Sequence, residues 1–272
     1  MRHPGPVPRP LAALGLLAAL APAAPGSAQD RPLLTEAAVT APAGCIQLEA
    51  GLEFMSAEPS FLSGRERDRW DLPVLRLVWS PAANVEMDLE WTARVAARGE
   101  AGRADVADWG DVVLRAKVRF AGDGRRRPAL GARFWVALPQ TSSGTGLGPN
   151  TLRFAAQALA TRILGGWAVH VNAGLMIHDE VLRPHEQRDF LAYGLALERR
   201  LAGPAVAVAE VAGRAGDGMP GAEERAELRA GFRFGGRRSA DLALRRGLAA
   251  ADGSWGLTVG ISWALRDGAA AP

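Results

Sequence analysis

The sequence predicts an all-β fold, a closed antiparallel transmembrane β-barrel of about 12 strands, and three observations carry the prediction. Nearly every segment beyond residue 44 alternates apolar and polar side chains with period two, the mark of a strand with two unlike faces. The segments are about ten residues long, which is what a tilted strand needs to cross a membrane. Long polar connections also take turns with short glycine-rich ones, as in barrels with an even strand number.

The chain opens with Arg2 and Arg9 around an apolar stretch from Leu11 to Ala21, followed by the small residues Gly26-Ser27-Ala28. This is the pattern of a secretory signal peptide, expected over 1–28. Pro22 and Pro25 interrupt the apolar run well before the roughly 20 residues that a membrane helix requires. Cys45 is the single cysteine, so no internal disulfide can staple this exported chain, and backbone ladders must hold it together. Ala43-Gly44-Cys45 resembles a lipoprotein box but lies far beyond the signal's apolar core, which such a box should abut. The formal charge of +3 falls close to neutral once Arg2 and Arg9 leave. The basic groups are almost all arginine, so the high isoelectric point does not imply nucleic-acid binding.

The first strand places Ile46, Leu48, Ala50, Leu52 and Phe54 opposite Gln47, Glu49, Gly51 and Glu53. In the third, Val85 to Val95 at odd numbers faces away from Glu86, Asp88, Glu90, Thr92 and Arg94. The fourth mirrors it in charge, with Asp111, Arg115, Lys117 and Arg119 on its polar face and Val113 the one apolar intruder there. His170 and Asn172 share a polar face in the seventh strand, Arg229 and Arg233 in the tenth, and the last sets its apolar face against the small residues Gly256, Thr258, Gly260 and Ser262. Weaker runs at 70–79, 129–138, 151–162, 189–200, 204–212 and 238–246 complete the twelve.

The connections expected to be long run over 56–69, 97–110, 139–150, 178–188, 214–222 and 248–253, and the others are turn-sized apart from 121–128. Long outer loops and short inner turns put both termini on the periplasmic side. Residues 29–43 then form an N-terminal segment that could act as a plug, 44–265 the barrel and 266–272 a tail.

Alternation alone also suits a secreted sandwich or a lipocalin-like barrel, so the polar faces have to discriminate. Pairing strands three and four with Arg94 opposite Asp111, Glu90 opposite Arg115, Asp88 opposite Lys117 and Glu86 opposite Arg119 joins four opposite charges in one register. Each such pair contributes roughly 0.2–1 kcal/mol. The zipper suits the wall of a polar lumen, although a solvated face of a soluble sheet would use the same pairs. Trp70, Trp79, Trp91, Trp167, Trp255 and Trp263 fall near strand ends or on apolar faces, as aromatic girdles do.

The alternatives to a channel or transporter are a structural or adhesive closed barrel and an outer-membrane hydrolase, but no motif points to catalysis. His170 has no serine at the spacing a nucleophile needs, and the acids already have basic partners. The glycines around 144–148 lack a following helix for phosphate binding, and no His/Cys cluster has metal-ligand spacing. No cofactor is expected.

The chain also resembles a known family, the outer-membrane transporters grouped under the name "MetA-pathway of phenol degradation". The resemblance spans nearly the whole expected mature chain, 29–272. It rests on Asp30-Arg31-Pro32 with Thr35-Glu36, Gln47-Leu48-Glu49-Ala50-Gly51, Gly110-Asp111 leading to Lys117, Leu138-Pro139 before a glycine-rich loop, the Glu210 strand and the glycine-rich last strand. The chain departs from the pattern where Leu265 stands in place of a terminal aromatic and 266–272 follow. The resemblance implies a channel or transporter for aromatic or other hydrophobic compounds. The charged lumen by itself would favour small polar or zwitterionic solutes. Candidate lumen residues are Glu86, Asp88, Glu90, Arg94, Asp111, Arg115, Lys117, Arg119, Arg133, His170, Glu210, Arg229 and Arg233. The expected partners are outer-membrane lipid and lipopolysaccharide, the barrel-assembly machinery and a small-molecule solute, with no nucleic acid.

Overall fold

The computed structural model describes residues 31–102, 104–181 and 186–268. The signal peptide expected over 1–28 and the end of the tail lie outside the described residues. Among those described, fourteen strands form one antiparallel sheet. They are β1 (Ile46–Pro59), β2 (Glu66–Ala82), β3 (Val85–Thr92), β4 (Val95–Arg98), β5 (Val106–Asp108), β6 (Val112–Ala121), β7 (Ala129–Leu138), β8 (Arg153–Leu164), β9 (Trp167–Asp179), β10 (Gln187–Arg200), β11 (Ala205–Ala215), β12 (Arg225–Gly235), β13 (Arg238–Gly247) and β14 (Trp255–Arg266). Twelve long strands each pair with the next, and β14 closes the ring on β1 through partners such as Leu48 and Trp263. The short β4 and β5 lie beside the first part of β2. Closure leaves the twelve-stranded ring without an edge strand, the one way a sheet can sit in lipid.

The faces are inverted relative to a water-soluble barrel. Leu77, Leu89, Phe134, Leu175, Leu195 and Leu244 point outward and are exposed, whereas Glu49, Glu86, Lys117, Arg229 and Asp241 point inward and are buried. Only hydrocarbon solvates such an outer surface well. Aromatic residues mark its margins: Phe54, Trp70 and Trp255 cluster at the long-loop end with centroids 4.3 and 5.4 Å apart, and Trp91 stacks on Trp109. Trp79 and Trp167 stand exposed at the other margin. Leu195→Arg, in the middle of β10, is expected to destabilise the barrel in lipid vesicles by about 2–4 kcal/mol, the cost of arginine at the bilayer midplane. A denaturant titration that shows no change would mean this face does not meet lipid.

Two expectations are corrected. The connection expected over 56–69 shrinks to six residues, because β1 and β2 run on past the apolar belt and pair there. The alternation in the third strand also changes phase. Leu89 and Trp91 face outward, but Val95 and Ala97 turn inward and pack on Leu147. Pro73, opposite this point on β2, has no N–H to offer the ladder, and the β1–β2 register shifts between Gly51 and Glu53. The same phase change leaves Arg94 exposed at the break between β3 and β4, with its carbonyl accepting the Leu72 N–H at 2.8 Å. Arg94 is therefore not in the lumen.

The long connection at the short-turn end, over 122–128, is a built turn. The backbone N–H groups of Arg126, Arg127 and Arg125 donate to Asp123 Oδ1 at 2.8, 3.3 and 2.9 Å, which holds this carboxyl below the usual carboxylate range.

Candidate functional site in the barrel interior

Residues 31–43 lie inside the ring, bonded mainly to side chains of the wall, with Arg31 donating to the Val259 carbonyl at 3.1 Å and the Thr40 hydroxyl to the Ala83 carbonyl at 2.7 Å. Beginning at Arg31, the guanidinium reaches Asp241 on β13 at 3.3 Å and Thr258 on β14 at 3.2 Å. Arg229 and Arg233 on β12 donate to the Pro32 and Arg31 carbonyls at 2.9 and 3.1 Å. The two carboxylate oxygens of Glu210 on β11 accept the N–H groups of Leu34 and Thr35 at 2.7 and 2.8 Å. On β9, Asn172 accepts the Glu36 N–H at 2.8 Å and donates to the Glu36 carbonyl at 2.9 Å, so one amide side chain stands in for a neighbouring strand. Thr161 on β8 accepts the Ala38 N–H, and Glu86 on β3 accepts that of Ala41, at 2.8 and 3.1 Å. An isolated peptide has its backbone donors satisfied here by side chains, as buried polar groups require.

Small residues in the wall make room for it. A Cβ on Gly194 would meet Thr35, and one on Gly51 or Gly260 would run into the Arg31 guanidinium. This accounts for glycine at 260 on the inward face of β14. Gly260→Val is expected to displace Arg31 and expose the segment. Cleavage within 31–43 by an added protease, slow in the native protein, should become fast, and unchanged protection would show that Arg31 is not seated there.

Glu36 is the electrostatic centre. Its carboxylate lies 2.6 Å from Arg133, 3.2 Å from Arg76 and 3.6 Å from Lys117, so three strands converge on one anion carried by the segment. Lys117 also meets Glu86 at 2.7 Å, and Asp88 meets Arg76 at 2.9 Å and Arg115 at 2.7 Å. These contacts correct the zipper register by two residues: Glu86 stands across from Lys117 and Asp88 across from Arg115, while Glu90 faces Val113 in the ladder. Arg115 still reaches Glu90 diagonally at 3.0 Å, and that reach is why counting charges in one hairpin did not fix the rung. Arg119 has left Glu86 for the Ala83 and Gly122 carbonyls at the short-turn end. Asp111 has no Arg94 opposite it. It pairs with Arg153 and accepts the Gln140 and Thr141 N–H groups at the loop rim.

His170 bonds Thr161 through Nδ1 at 2.9 Å with Glu198 4.0 Å from Nε2, an order of groups that resembles a catalytic triad. Thr161 is only 1% exposed, and its hydroxyl is engaged by the Ala38 N–H, so the group is covered while the segment is in place. Sequence reasoning had placed Asn172 with His170 in a polar cluster of the lumen, without the bonds it makes to the segment, and it did not single out Arg31, Glu36, Arg76 and Thr161 as lumen residues. Arg76 and Thr161 sit in strands whose alternation is weak, while the partners of Arg31 and Glu36 are far away in sequence.

Between the segment and the long-loop end lies a vestibule of about 460 Å³. Charge networks line it: Glu53 with Arg245 and Arg229 at 2.9 and 3.4 Å, and Glu58 with Arg225 at 3.3 Å. An apolar outer belt, a polar interior and a ring of twelve antiparallel strands define a transmembrane β-barrel of the outer-membrane type.

The fold is similar to that of the outer membrane channel from Pseudomonas putida F1, with 17% identity over 83% of this chain and 97% of that one and a TM-score of 0.62. It is also similar to the translocator domain of the autotransporter NalP from Neisseria meningitidis, with 13% identity over 80% of this chain and 88% of that one and a TM-score of 0.51. No family model matches the chain, and no curated protein is similar to it in sequence.

Proposed function

We propose that the chain is an outer-membrane channel that passes small solutes along its charged lumen and is closed at rest by its own residues 31–43. The observation that carries this reading is the mode of attachment: polar side chains hold the segment and no strand pairing does, so it can leave without breaking the barrel. The likeness in fold to a protein described as an outer membrane channel supports it. The family resemblance adds aromatic or hydrophobic compounds as the cargo. Export through 1–28 and insertion by the barrel-assembly machinery into lipid and lipopolysaccharide complete the picture.

Planar-bilayer recording of the purified barrel tests it. Small, stable single-channel steps are expected. Their absence from a preparation whose heat-modifiable gel mobility shows a folded barrel would overturn the channel. It would favour instead a closed structural barrel, a second reading suggested by the five backbone N–H groups of the segment, those of Leu34, Thr35, Glu36, Ala38 and Ala41, that wall side chains accept.

A further inference from the structure

We infer that the lumen holds a binding site for a small organic monocarboxylate with an aromatic or short alkyl body, a substrate class that rests on the channel reading. The site is a cavity of about 290 Å³ beside the vestibule. Its apolar side is formed by Leu34, Val113, Trp135 and Met176, all inside the barrel, where a polar lining is the rule. Leu34 is 45% exposed although it belongs to the segment that threads the interior. Arg115, Arg133, Arg153, Arg214 and Arg225 also line the cavity, and among the described residues no aspartate or glutamate does.

Four of these arginines have a carboxylate elsewhere: Asp88, Glu36, Asp111 and Glu58 respectively hold Arg115, Arg133, Arg153 and Arg225. Arg214 differs. Its Nε donates to the Glu223 carbonyl at 2.7 Å, one terminal nitrogen lies 3.1 Å from His178 Nε2, and the guanidinium sits over the Phe190 ring at 5.4 Å. None of these is an anion, and among the described residues the Glu223 and Asp252 carboxylates act on Arg214 only from beyond ion-pair distance. A guanidinium braced by a carbonyl and an aromatic face keeps the fork geometry that matches a carboxylate.

Arg153, Arg214 and Arg225 line both the vestibule and the cavity, so the three cations stand where the two spaces join, while Trp135 and Met176 line the cavity alone. Cations beside an apolar wall read charge at one end of a ligand and hydrophobic area at the other. The volume lies at the small end of ligand pockets, which fits a phenyl-sized body rather than a long chain.

Titration calorimetry of the detergent-solubilised barrel with cinnamate, its neutral amide cinnamamide, and acetate tests the site. Cinnamate is expected to bind, with the amide and acetate each at least about tenfold weaker, the effect of losing a charged hydrogen bond or an apolar body. Arg214→Gln should weaken cinnamate by a similar factor and Arg214→Lys should recover part of it, in variants that keep heat-modifiable mobility. Equal binding of cinnamate and its amide, equal binding of acetate, or no effect of Arg214→Gln would each overturn the site. Channel steps without cinnamate binding would sink the site and leave the channel, and binding without channel steps would do the reverse.

Discussion

Glu36→Ala is expected to destabilise the barrel interior by about 3–5 kcal/mol, the cost of removing one partner from a buried ion cluster. Arg133, Arg76 and Lys117 would be left facing one another across the space the carboxylate fills, with Lys117 and Arg76 retaining Glu86 and Asp88. The strand ladders lose nothing, so the system can escape the penalty by releasing the segment and hydrating the cations. The loss should therefore appear in two places: a lower denaturant midpoint in lipid vesicles and longer or more frequent open events in the bilayer. Glu36→Gln keeps the shape and the Asn172 bonds to the backbone but removes the charge, and should reproduce most of both effects. If both variants unfold and conduct as the wild type does, Glu36 is not what fastens the segment.

Deletion of residues 31–41 is expected to raise single-channel conductance several-fold while the barrel still assembles. The segment's described hydrogen bonds run mainly to side chains such as Glu210, Asn172, Thr161 and Glu86, which water can satisfy once the peptide is gone. Strand pairing from β1 through β14 involves no residue before Ile46. A twelve-stranded ring stripped of its segment retains a lumen lined by charge, and ions should cross it readily. Conductance unchanged by the deletion would mean that the path does not run past the segment.

Twelve strands, most of their inward and outward faces, and the rhythm of long and short connections apart from 56–69 were legible because each is a local pattern. Period two assigns a face to every residue, and glycine and proline punctuate the ends. The same pattern also marked residues 29–43 as outside the strands. What sequence could not supply was the rung on which two strands meet: a shift of two residues keeps every face the same, and Arg115 makes its ion pairs diagonally as well as directly. The phase change near Pro73 hid for a related reason, since Val95 and Ala97 alternate smoothly with their neighbours in sequence and only the bulged partner strand turns them inward.

By itself, then, the sequence determined a membrane barrel with a charged interior, because burial and exposure are written residue by residue. Only the tertiary structure decided what that interior holds. Glu36 is neutralised by residues 40, 81 and 97 positions away, and Arg31 by one 210 positions away; such contacts exist only once the ring has closed around the chain that begins it.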